Sequence, residues 1–137
     1  MALRYVLFAV AASFVAVSAA SAGSDLDGRW TGKMKQVDAS GETEYAMLLR
    51  IDGQTGQTLY PELQCGAELV QVAAVDGYTI YIETVTEGRV DPSTDLGCID
   101  GFLIVQPYED KLLVEWAGNY DGDTYVSSAT LERGGDN

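Results

Sequence analysis

The residues in this chain that could do chemistry are mostly carboxylates: 21 Asp and Glu stand against 8 Lys and Arg, and there is no histidine. Ser and Cys nucleophiles need a neighbouring base near neutral pH, so the missing imidazole removes the usual hydrolase arrangements. A Ser–Lys pair is the remaining form, but Lys33, Lys35 and Lys111 stand in solvent-facing contexts. Two carboxylates can cleave a glycoside, one as acid and one as base or nucleophile. Glu83 and Glu115 are the pair to consider, each on a strand face beside aromatic residues. The simpler expectation is that both face solvent or pair with an arginine, so no catalytic residue is assigned. The glycines sit singly in turns, which leaves no phosphate-cradling loop.

Metal chemistry fares no better. Asn119-Tyr120-Asp121-Gly122-Asp123 offers oxygens of the kind calcium takes, as do Asp91 and Asp95 around Pro92-Ser93-Thr94, but neither run has EF-hand spacing. Asp121-Gly122 reads more simply as a hairpin turn using Asp-Gly, within a polar turn over 119–123. Two lone cysteines without histidine do not make a zinc site. Neither a metal nor a cofactor is expected.

The start of the chain indicates where such residues would work. Arg4 is the only charge before Asp25, an apolar run extends from Tyr5 to Ala20, and Ala20-Ser21-Ala22 has the small-x-small pattern of a signal-peptidase site. Residues 1–22 are therefore expected to be a cleaved export signal and residues 23–137 a single small β domain, periplasmic or secreted. The apolar run is short for a membrane span, which needs roughly 20 residues. Loss of Arg4 leaves 7 basic residues against the 21 acidic ones, a net charge of −14. A field of that sign repels nucleic acid and anionic membranes and favours cationic partners or plain solubility. Cys65 and Cys98 are the only cysteines. In an oxidising compartment they are expected to form a disulfide, closing a loop of about 34 residues for roughly 3–4 kcal/mol.

No stretch after the signal sustains a helical period; short runs of period two alternate with turn residues instead. The strands expected are roughly 29–36, 45–51, 58–63, 67–74, 78–85, 102–108, 111–117 and 125–133. Tyr45, Met47, Leu49 and Ile51 make the clearest single face. Short turns join consecutive strands, and closing such a meander removes its exposed edges. The expected fold is an eight-stranded antiparallel up-and-down barrel, with a two-sheet β-sandwich as the alternative.

Two resemblances attach to particular residues. Gly28-Arg29-Trp30 at the first strand, with Arg133 ending the last, resembles the lipocalin and avidin-like (calycin) barrels, whose first strand opens Gly-x-Trp. That resemblance implies barrel closure by Trp30 and Arg133, the guanidinium lying over the indole. The chain departs from lipocalins in having Leu96 after Thr94-Asp95 and no room for a C-terminal helix, which argues against a large ligand cavity. Second, Tyr60-Pro61-Glu62-Leu63-Gln64-Cys65-Gly66, Glu83, Thr86-Glu87-Gly88-Arg89 and Gly97-Cys98-Ile99-Asp100-Gly101 are similar to a bacterial family of small exported β domains. Those modules stand alone or are attached to larger signalling proteins. The resemblance covers most of the mature chain and implies fold and location rather than an activity.

A Cys65–Cys98 bond would bring residues 60–66 beside residues 97–101, with Arg89 returning to the same end. Tyr60, Glu62, Arg89 and Asp100 are then the candidate binding rim. The structural alternative pairs Arg89 with Asp100 or Glu83 and lets Tyr60 cap the core. The function expected is that of a noncatalytic extracytoplasmic binding or interaction domain, monomeric, with an unknown protein or small-molecule ligand, no nucleic acid and no membrane anchor after cleavage. The alternatives are an acidic inhibitor of a cationic secreted enzyme such as a lysozyme, and a carboxylate-based enzyme.

Overall fold

A computed structural model of the protein describes residues 25–94 and 96–134; the expected export signal lies outside the described residues. Eight antiparallel strands follow one another around a closed barrel: β1 (Gly28–Asp38), β2 (Gly41–Asp52), β3 (Thr55–Tyr60), β4 (Cys65–Val75), β5 (Tyr78–Glu87), β6 (Gly101–Tyr108), β7 (Lys111–Tyr120) and β8 (Asp123–Arg133). The sandwich alternative is thereby excluded. Each strand pairs with its sequence neighbours, and β1 pairs with β8 through Trp30 opposite Arg133 and Val37 opposite Val126. Residues 61–63, expected as the end of a strand, form a single 3₁₀ turn instead. Pro61 has no amide hydrogen to offer a ladder, which favours leaving the sheet there.

Local chemistry explains the hairpins. Asp76-Gly77 and Asp121-Gly122 both take positive φ at both positions, the geometry whose twist matches paired strands. The second is the Asp-Gly hairpin turn expected there, and it is tighter than a turn over all of 119–123, since Tyr120 pairs directly with Asp123.

An eight-stranded barrel is just wide enough for side chains to fill, or to hold one small ligand. Here the half away from the mouth is filled. Met34, Met47, Leu49, Leu69, Leu103, Val105, Leu112 and Leu131 are all essentially buried there. Lys33, Lys35, Arg50, Glu68 and Glu115 alternate with the inward residues and face outward. Residues 25–27 fold across the lower end. Leu26 is buried, its carbonyl accepting from Trp30 Nε1 at 2.8 Å, and Asp27 accepts from the Gly53 amide at 2.8 Å. The Arg133 guanidinium lies 4.0 Å from the centre of the Trp30 ring and donates to the carbonyls of Asp25, at 2.8 Å, and Asp27. One end of the barrel is thus sealed by a cation–π contact and backbone hydrogen bonds.

Candidate functional site

The opposite end is open. It is bounded by the β1–β2, β3–β4 and β7–β8 hairpins and by the long β5–β6 connection. That connection is held as a compact loop by backbone hydrogen bonds, Cys98 N to Gly88 O at 3.0 Å and Val90 N to Cys98 O at 2.9 Å. Cys65 and Cys98 form the disulfide, Cα atoms 5.9 Å apart, tying the loop to the start of β4. Such a bond fits an oxidising, extracytoplasmic compartment. Gly88 permits the crossing: its φ is +71°, and a Cβ there would stand 2.2 Å from the Gln64 carbonyl oxygen.

Arg89 and Asp100 complete the loop's attachment. Their side chains pair at 3.1 Å, Asp100 accepts from the Val85 amide at 2.8 Å, and Arg89 donates to the Val85 carbonyl at 3.3 Å. Both are engaged on the outer side of the barrel, and neither lines the mouth. Of the four rim residues the sequence singles out, only Tyr60 and Glu62 line it. Glu62 lies exposed on the 3₁₀ turn, accepting from the Ala46 amide at 3.2 Å. Tyr60 is buried, 4% exposed.

Below this rim lies a cavity of about 660 Å³. Its walls include Tyr45, Tyr60, Trp116, Tyr120 and Tyr125, and Glu83 forms part of its floor. Tyr45 and Tyr60 meet edge to face, ring centres 5.7 Å apart and planes at 74°, so they make a corner. Trp116 lies flat against Gly101 and Gly118, where any Cβ would collide with the indole.

Glu83 overturns the expectation that it faces solvent or an arginine. It is 1% exposed, and its partners are all neutral donors: Thr58 Oγ1 at 2.7 Å and Tyr60 Oη at 2.8 Å to Oε2, and Trp116 Nε1 at 3.0 Å to Oε1. Burial pushes its carboxyl above the ordinary glutamate range, while these hydrogen bonds pull it back and nearby Asp100 raises it further. Burial likewise holds the Tyr60 phenol well above its usual value, the Glu83 charge adding to the effect. Tyr45 is raised by the same burial and bonds Ser127 Oγ at 3.1 Å. Glu115, the other carboxylate considered, is exposed on the outer face of β7. The two glutamates therefore stand on opposite sides of the wall and cannot flank one glycosidic bond.

No group of three or more His, Cys, Asp or Glu among the described residues is placed to hold a metal ion. A second concavity, of about 560 Å³, lies along the outside of β1–β4. Its side chains Leu48, Arg50, Gln57 and Leu59 are exposed, and Thr58, a buried polar residue on its lining, turns its hydroxyl to Glu83 instead. Sequence reasoning missed Trp116 and Tyr125 as site residues. A signal existed in their alternation with Val114 and Ser127, but only barrel closure aims that face at Glu83. Comparison with protein-family models, with curated proteins and with solved structures finds no match for this chain.

Proposed function

We propose that this protein is a noncatalytic, extracytoplasmic binding barrel that takes a small molecule in its open mouth. The observation that carries the reading is the division of the interior. One half is packed to exclusion, and the other keeps about 660 Å³ open behind aromatic walls and a few polar groups. That volume and lining are typical of sites that hold a ligand of a few rings or fewer. The disulfide-tethered loop keeps the mouth open with little ordering left for a ligand to impose, which is the preorganisation tight binding needs. The export pattern of residues 1–22, the disulfide and the outward-facing charges support a soluble protein acting outside the cytoplasm. The calycin resemblance is supported by the Trp30–Arg133 contact and enters this reading as fold-level analogy, as does the similarity to exported bacterial β domains.

Thermal-shift screening of mature protein against a small-metabolite collection tests the proposal. Compounds that raise the melting temperature should lose their effect in Gln36→Trp, which fills the mouth from β1. Stabilising compounds unaffected by that substitution would place binding elsewhere and remove the reading.

A further inference from the structure

The charges lining the mouth are of one sign; Lys35, opposite Glu44, points outward to Glu42 at 3.2 Å. Asp38, Glu44 and Glu62 stand at its rim and Glu83 at its floor, and none of the described residues lining it is a lysine or arginine. Arg89, the basic residue of the β5–β6 loop, is committed to Asp100 and the Val85 carbonyl. Buried carboxylates are ordinarily paired with a cation. Glu83 has only hydroxyl and indole donors, which satisfy hydrogen bonds without neutralising charge.

Those donors also prepare the walls. Tyr60 and Trp116 each give their polar hydrogen to the carboxylate, which polarises both rings and leaves their faces richer in electrons. Tyr45 meets Tyr60 at 74° to make a corner, and Tyr125 is half-buried across the mouth. Aromatic faces meeting at an angle around a desolvated space are the arrangement that holds organic ammonium groups, because each ring offers the negative face of its quadrupole. A carboxylate behind the rings strengthens the same field, and Glu83 itself, 1% exposed, acts from beneath the mouth where water does not reach it. An anion would meet four carboxylates and no donor cation.

From the cavity, its ring geometry and its one-sided charge, we infer that the ligand of this barrel is a small organic cation, a primary or quaternary amine, seated against Tyr45, Tyr60, Trp116 and Tyr125 above Glu83. The inference rests on the binding-barrel reading and specifies its ligand class.

The chain's two tryptophans make the test internally controlled, since Trp30 lies at the sealed end and Trp116 in the mouth. Phenethylamine, choline and putrescine are titrated into the mature protein beside 2-phenylethanol and phenylacetate, following both indole N–H resonances. At least one amine should move the Trp116 resonance and leave Trp30 in place, binding about tenfold or more tighter than the neutral or anionic analogues. Glu83→Gln should weaken that binding about tenfold, and Tyr125→Leu should weaken the amine more than 2-phenylethanol; an unchanged Trp30 resonance certifies that each variant is folded. Equal or tighter binding of 2-phenylethanol or phenylacetate at Trp116 would overturn the cationic ligand and leave the binding barrel standing. No movement of Trp116 with any probe would overturn the inference, while the metabolite screen continues to decide the binding reading on its own.

Discussion

Replacing Glu83 with leucine strands three donors in the barrel interior: the Thr58 hydroxyl, the Tyr60 hydroxyl and the Trp116 indole N–H. Each buried donor left without an acceptor costs about 1–3 kcal/mol. The two hydroxyls share Oε2 as acceptor and lie close enough for one to turn to the other, so two donors stay unsatisfied. The loss is then about 2–6 kcal/mol, offset in part because a buried charge has also gone. A net cost of about 2–3 kcal/mol at pH 7 lowers Tm by roughly 10 °C in a domain of this size. Glutamine behaves differently. Its carbonyl oxygen accepts from Trp116 and its amide can donate to the hydroxyl oxygens of Thr58 and Tyr60, which leaves one hydroxyl hydrogen without an acceptor where leucine leaves two donors, so Glu83→Gln should be more stable than Glu83→Leu by about 1–3 kcal/mol. The pH dependence carries a sign. Burial raises the folded-state pKa of Glu83 above its ordinary value, so its favourable contribution is complete below the unfolded value and is lost as pH rises through the folded one. Above about pH 4.5 the parent should therefore lose stability relative to Glu83→Gln, at up to 1.36 kcal/mol per pH unit until the folded pKa is passed. Urea melts of parent, Gln and Leu variants from pH 4 to pH 8 measure both effects. Equal losses for Gln and Leu, together with a parent-minus-Gln difference that is flat in pH, would refute a buried carboxylate held by neutral donors.

Further expectations concern the ends of the barrel and its chemistry. Trp30→Leu, Arg133→Met and the double variant should show a coupling of about 0.5–1 kcal/mol in denaturant melts, from the contact at 4.0 Å; additive losses would deny that the two groups seal the end together. Oxidised protein should expose no titratable thiol when denatured, and reduction of Cys65–Cys98 should lower Tm by on the order of 10 °C, from roughly 3–4 kcal/mol of loop closure. Gly88→Ala should cost more than about 1 kcal/mol, since φ +71° and the Gln64 carbonyl oppose a side chain there; an unchanged midpoint would show that the loop crosses differently. In a panel of glycosidase, esterase and peptidase substrates no robust turnover is expected, and turnover abolished by Glu83→Gln would replace the noncatalytic reading with an enzymatic one.

What the sequence by itself determined was the set of strands and their connections. Period-two alternation, as in Tyr45, Met47, Leu49 and Ile51, and Asp-Gly turns such as Asp76-Gly77 are local signals, read within a few residues of each other. Eight strands joined in series leave two edges, and their pairing buries the backbone groups an open sheet would expose, so closure followed from the same pattern. The site was decided by tertiary structure. Along β5, Tyr78, Ile80 and Ile82 look the better core face, yet it is Thr79, Tyr81 and Glu83 that turn inward, while Ile82 is 41% exposed. Both faces of that strand mix apolar and polar groups, so its own pattern does not choose between them. The choice comes from the register, which sets Glu83 opposite Leu69 on β4 and Gly101 on β6, and from partners 25, 23 and 33 residues distant, Thr58, Tyr60 and Trp116. A carboxylate can be buried only where donors converge on it, and that convergence exists only once the barrel has closed.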